Sequence, residues 1–247
     1  MLRWYIFCMA KAQRAGSAET TPHSSEKTLA NQAFKALRED VLGGHLLPGS
    51  RLRLNEIQLR TGLGMSPVRE ALMRLASEGL VVAEGQRGFS VASVSLDELH
   101  DVTRTRERVE ALAIRDAITH GNADWEADMM AAFHRLRRAP LPQGAQEADV
   151  ANAWEALHRD FHQALVVACG SPWLLRLHTQ LMEHSERYRR VRLFHVTPSA
   201  LLLRDVEKEH EAIMKAALAR DPDKACALME KHLRRTEKMV EAQWGAE

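Results

Sequence analysis

The chain is predicted to be mainly α: a compact N-terminal unit of helices carrying one small β-hairpin, followed by an all-α helical bundle. Three observations predict this division. Apolar residues between residues 26 and 80 recur at helical spacing in short runs, each closed by glycine or proline. Two brief β-type runs, Leu80-Val81-Val82 and Phe89-Ser90-Val91, flank the turn Gln86-Arg87-Gly88. After Leu96 strand signals vanish, and long amphipathic stretches continue to the end of the chain.

Taken in order, residues 1–25 read as a disordered tail. The apolar run in Met1–Ala12 is at the lower limit for a signal peptide, Met9 is a candidate initiator, and Ala15–Ser25 is rich in small polar residues. Residues 26–92 form the first unit. A helix is expected over Glu26–Gly43, with Leu29, Ala33, Leu37 and Val41 on one face. After the Pro48-Gly49 turn comes a short helix packed by Ile57 and Leu59, which stops at Thr61-Gly62. The next helix is expected to start at Ser66, an N-cap followed by proline, and to end at Gly79. Its inner stripe is Val68, Ala71, Leu72 and Leu75; Ser66, Arg69, Glu70 and Met73 face outward. Helix, turn, helix and a basic-tipped hairpin together describe a winged helix-turn-helix. Residues 96–243 form the second unit, about six helices broken near Gly121, Pro140–Gly144, Ser171, Pro198 and Asp221, with Ser95 as N-cap of the first.

Composition excludes several classes. Cys8, Cys169 and Cys226 are odd in number and form no Cys-x-x-Cys pair, which points away from disulfides and thiolate zinc and toward a reducing, cytoplasmic setting. No run of 18 apolar residues exists, so no membrane partner is expected. The net charge is +1, yet residues 26–92 hold nine Lys and Arg against seven Asp and Glu, while 93–247 hold 22 against 25. This asymmetry permits nucleic-acid binding by the front unit.

Twelve histidines are many for 247 residues. His158 and His162, four apart, share one side of a helix. His210 and His232 are each 11 residues from the turn at Asp221, and His158 and His184 each 13 from Ser171, so antiparallel helices set these pairs level. Such a layer suits a divalent ion, zinc or nickel, through neutral imidazole.

The motifs Pro48–Leu52, Pro67–Leu72 (PVREAL), Arg74–Leu80 and Gly88–Val91 resemble the N-terminal domain of GntR-family bacterial transcription regulators. Arg106 and Glu110, Phe161-His162, Glu209-His210 with Ile213, and His232-Leu233 resemble the C-terminal ligand-sensing (FCD) domain of the FadR-like branch. The run Ser171–Arg190 is similar to a subgroup regulating dicarboxylate catabolism.

These resemblances imply a DNA-binding regulator, a repressor, acting as a homodimer on a two-fold operator. The outward helix would enter the major groove with Ser66 and Arg69, and Arg87-Gly88 would reach the minor groove; Arg38, Arg51 and Arg74 are candidate phosphate contacts. Met65 stands where the family often has arginine. By position, His162, His210 and His232 match the family's three metal histidines, while its aspartate position is His158 here. Arg106 and His184 are then candidates to hold a small carboxylate effector. The alternatives are a metallohydrolase, for which Arg159 occupies the place of the glutamate base in His-x-x-x-His, and a pure metal sensor.

Overall fold

The computed structural model describes residues 22–85, 88–141, 148–195 and 205–244. Helix α1 (Pro22–Leu42) begins four residues before the expected start, so Pro22–Ser25 is helical and not part of a tail. Its face toward the core is Ala30, Ala33, Leu37 and Val41; Leu29, expected on that face, is 37% exposed. Strand β1 (Arg51–Leu52) follows, then α2 (Leu54–Thr61), closed by Gly62 in the left-handed conformation, φ +69°. Ile57 is buried, whereas Leu59 is 86% exposed and packs nothing: on a helix of eight residues only one side reaches the core.

Helix α3 spans Met65–Ser77, with Gly64 at its N-cap position, so Ser66 lies inside the first turn and makes no cap. Its C-terminus follows the expectation. Gly79 takes φ +73°, its N–H donates to the Ala76 carbonyl, and the Leu80 N–H donates to the Leu75 carbonyl at 3.0 Å. That double bond pattern, with Leu75 and Leu80 both buried, is a Schellman stop. β2 (Val81–Ala83) and β3 (Phe89–Val91) form the hairpin, and β1 pairs with the other edge of β3, giving the order β1-β3-β2, all antiparallel. β1, only two residues long, carried no readable alternation.

Ser95 caps α4 (Leu96–His120), accepting from the Glu98 N–H. The bundle continues with α5 (Ala123–Arg138), α6 (Ala148–Val166), a single 3-10 turn (Val167–Cys169), α7 (Pro172–His195), α8 (Val206–Leu218) and α9 (Pro222–Trp244). The α4–α5 corner needs glycine, because a Cβ on Gly121 would sit 2.1 Å from the Trp125 ring. Trp125 is fixed there by donating from Nε1 to the Ala164 carbonyl at 2.8 Å. α4 runs through the middle, with Ala113, Ile114 and Ala117 fully buried against Phe161, Leu165, Ile213 and Met229. Front unit and bundle have separate apolar cores. The expected break at Pro198 and the wing tip Gln86-Arg87 lie outside the described residues. Among those described, no helix is long and apolar enough to cross a membrane.

Candidate metal centre and candidate nucleic-acid interface

Four histidines meet inside the bundle. His158 and His162 come from successive turns of α6, His210 from α8 and His232 from α9, and one nitrogen of each lies within 4.8 Å of the others. All four are buried, at 4% exposure or less. The α8–α9 hairpin turns at Asp221, which accepts from the Lys224 N–H, and brings the His210 and His232 rings to a centroid distance of 4.6 Å. His158 and His162 stand 4.5 Å apart.

The donor set suits a divalent ion. Ligand atoms of a tetrahedral ion, at roughly 2.1 Å each, stand about 3.4 Å apart, so the most distant pair of rings would each close in by up to about 0.7 Å. Burial lowers the pKa of His158 and takes that of His162 down to about 3, which keeps both rings in the neutral form that binds metal. Neither nitrogen of His162, nor Nδ1 of His158, has a hydrogen-bond partner, a cost that coordination through one nitrogen of each ring would reduce. The negative charge absent from an all-imidazole set stands one layer out. Glu209 accepts from His232 Nδ1 at 2.9 Å, Glu155 lies 3.7 Å from His158 Nδ1, and Glu110 lies 3.8 Å from His162 Nδ1. Carboxylates behind ligand imidazoles orient them and raise their basicity.

These carboxylates belong to a wider buried network. Arg106 Nε donates to Glu110 at 2.5 Å, and Arg189 holds Glu155 through two bonds of 3.2 and 2.9 Å. Glu186 accepts from Arg159 and Arg190, and Arg190 also reaches Asn152. Burial opposes the charge on Glu110, but Arg106 with His162 and His178 holds its carboxyl well below the usual range. Arg106 Nη2 has no partner. It borders a cavity with Thr103, Ser185 and Arg189 that offers only about 20 Å³, room for about one water.

His184 does not join the layer. Its Nε2 stands 2.9 Å from the Glu78 carbonyl oxygen, and its ring packs beneath Gly79 at the end of α3. Equal distance from a turn sets height along a helix, not the side faced. The inward side of α7 is instead held by His178, Met182, Ser185 and Arg189; His178, unnoticed in the sequence, is fully buried 3.9 Å from Glu110. Its place on the i, i+4, i+7 stripe with Met182 and Ser185 was the available signal.

On the front unit, Ser66, Arg69, Glu70 and Met73 are exposed along one side of α3, joined by Met65. Arg51 is exposed on β1, and Gly88, at φ +97°, stands beside the wing tip; Arg87 lies outside the described residues. Two candidate phosphate contacts are engaged within the chain. Arg74 bonds Asn31 Oδ1 at 2.5 Å and stacks on Phe34, tying α3 to α1. Arg38 pairs with Glu183 of α7 and with Glu78.

α7 also holds the end of the front unit, the linker and the start of α4. Arg187 donates to the Ala92 and Ser93 carbonyls at 2.6 and 3.0 Å, and Tyr188 donates to Glu98 of α4 at 2.5 Å.

Residues 29–91 match the family model described as bacterial regulatory proteins, gntR family, and residues 101–235 match that of the FCD domain. The chain is 36% identical over 216 residues to the HTH-type transcriptional regulator BphR of Paraburkholderia xenovorans (strain LB400), covering 87% of this chain and 86% of that protein. It is 35% identical over 200 residues to the HTH-type transcriptional repressor GlaR of Escherichia coli (strain K12), covering 81% and 90%. Among solved structures, E. coli McbR/YncC superposes with a TM-score of 0.73 at 22% identity, over 88% of this chain and 99% of that one, a likeness of fold alone.

Proposed function

The chain belongs to the GntR family of bacterial regulatory proteins, with an FCD domain behind its winged helix, and from that premise we propose that it is a metabolite-controlled repressor. Its relatives are transcriptional regulators, not enzymes. A homodimer presents two α3 helices to a two-fold operator, and a small organic acid acting at the metal-holding histidine centre sets the grip. The word repressor is carried by GlaR, whose printed name includes it. His158, His162, His210 and His232 would hold the ion, which would supply a fixed positive charge to the polar core that senses the acid.

The observation that carries this reading is the double engagement of α7. One side of the helix, through His178, Ser185 and Arg189, belongs to the polar core around the histidines. Another side, through Glu183, His184 and Arg187, grips Arg38, the end of α3 and the linker. A change in the core that rotates or shifts α7 therefore moves the end of the reading helix. His184 acts in this reading as a coupling residue and not as an effector ligand, and Arg38 as part of the same latch.

At the DNA, the outward stripe Met65–Arg69–Met73 offers one guanidinium between two apolar side chains, 52% and 53% exposed. Arginine matches guanine O6 and N7, and a methionine side chain suits a thymine methyl. Selection of bound duplexes from a random pool tests the reading: a two-fold site is expected, and no enrichment over scrambled DNA contradicts it. On the selected site, Arg69→Ala is expected to cost about 1–3 kcal/mol, confined to one base pair per half-site. Equal weakening on every base-pair variant would make Arg69 a phosphate contact instead.

A further inference from the structure

We propose that the groove between α8 and α9 is an anion-binding site that takes a small carboxylate with an apolar body. The proposal rests on the regulatory reading above and adds, on the surface beside the histidine centre, a second place where the acid acts. The groove holds about 720 Å³, the size of an ordinary small-molecule pocket, whereas the cavity beside Arg106 offers about 20 Å³. As closed here, the Arg106 cavity does not admit an organic acid.

The groove's chemistry selects an anion. Lys208, Lys231, Arg235 and Lys238 line it against two carboxylates, Asp205 and Glu209. Lys208 is paired with Asp205 at 2.6 Å and Arg235 with Glu209 at 2.7 Å. Lys231 and Lys238 are exposed and form no ion pair among the described residues, and in the groove's lining four cations stand against two carboxylates. They stand seven residues apart on α9, about 10.5 Å, with Arg235 between them. Below this cationic edge, Ala212, Leu228 and Met239 give a half-buried apolar floor. One end of an acid would meet the ammonium groups and its hydrocarbon part the floor, a division of labour common to small-molecule sites.

The groove is also wired to the centre. Its deep wall is His232, 4% exposed, and the carboxylate that His232 Nδ1 contacts is the same Glu209 that Arg235 holds at the rim. An incoming carboxylate competes with Glu209 for Arg235. Freeing one oxygen of Glu209 changes how that side chain orients His232, and through it the histidine layer. A ligand on the surface thus reaches the buried imidazoles without entering the core.

The test uses the full-length protein with 13C-labelled methionine methyls, titrated with a panel of straight-chain and aromatic mono- and dicarboxylates at millimolar concentration. We expect at least one acid to move the Met239 methyl saturably. In Lys231→Glu/Lys238→Glu the same acid should bind at least about tenfold more weakly, while the buried Met229 and Met214 methyls keep their positions and certify the fold. The proposal is overturned if no acid moves Met239, or if the double variant binds as the parent does. Operator affinity measured on the same samples separates the two readings. An acid that titrates Met239 and leaves operator binding unchanged supports the site and removes the regulatory reading; an operator response without any Met239 shift leaves regulation standing and removes this site.

Discussion

Glu110→Ala is expected to destabilise the protein by about 3–5 kcal/mol, measured by urea denaturation. Glu110 is fully buried and Arg106 is 3% exposed, so removing the carboxylate leaves a guanidinium in the core with its one close counter-charge gone. Arg106 Nη2 already lacks a partner, which leaves little to rescue it. The effect belongs to the broken pair and not to the pair's intrinsic worth. Arg106→Met combined with Glu110→Leu removes both charges and fills the space, and such replacements of buried ion pairs are often neutral or stabilising. We therefore expect the double variant to regain most of the loss. Equal destabilisation in single and double variants would show that the pair is not the source.

Removing the metal is the second large effect. At free zinc about a thousand times its Kd, binding to the folded state alone adds about 4.1 kcal/mol, which for a chain of this size corresponds to roughly 8–16 °C in Tm. Chelator-treated protein is expected to melt lower by an amount in that range and to recover when zinc is restored. His210→Ala or His232→Ala, each taking one ring from a layer of four, should abolish most of the gain. Cys226→Ser serves as control, because that thiol, six residues before His232 on α9, donates to the Ala111 carbonyl and stands outside the histidine group. A zinc-dependent rise that persists in both histidine variants would place the ion elsewhere. Because burial keeps the His162 ring neutral down to about pH 3, and lowers His158 as well, zinc-induced stabilisation should persist into mildly acid solution and weaken as pH approaches that value, where protons compete for the same nitrogens.

How far the sequence could be read depended on the range of the interactions involved. Local signals were legible. The Schellman stop at Gly79, the left-handed Gly62 and the cap at Ser95 each depend on a few neighbouring residues. The histidine layer was legible because i, i+4 spacing fixes the side of α6, and a tight hairpin at Asp221 fixes the height of His210 against His232. Where a side chain's partner lies far away in the chain, the reading failed. Arg38 is one of the candidate phosphate contacts, and in the fold it pairs with Glu183, 145 positions later. Arg74 likewise belongs to Asn31 and Phe34. His184 faces Glu78 because the packing of α7 against the front unit decides its side, which no local pattern encodes. Ser66 has the composition of a cap, yet the N-cap position falls two residues earlier, at Gly64, extended at φ −68°, ψ 169°.

The most direct test of the link between sensing core and reading head is hydrogen–deuterium exchange on the full chain, zinc-loaded against chelated. We expect slowed exchange in α6, α8 and α9, which carry the four grouped histidines, together with a change at Glu78–Leu80 and at Ala92–Ser95, where His184 and Arg187 of α7 take hold. Changes confined to the three ligand helices, with the end of α3 and the linker untouched, would contradict the coupling.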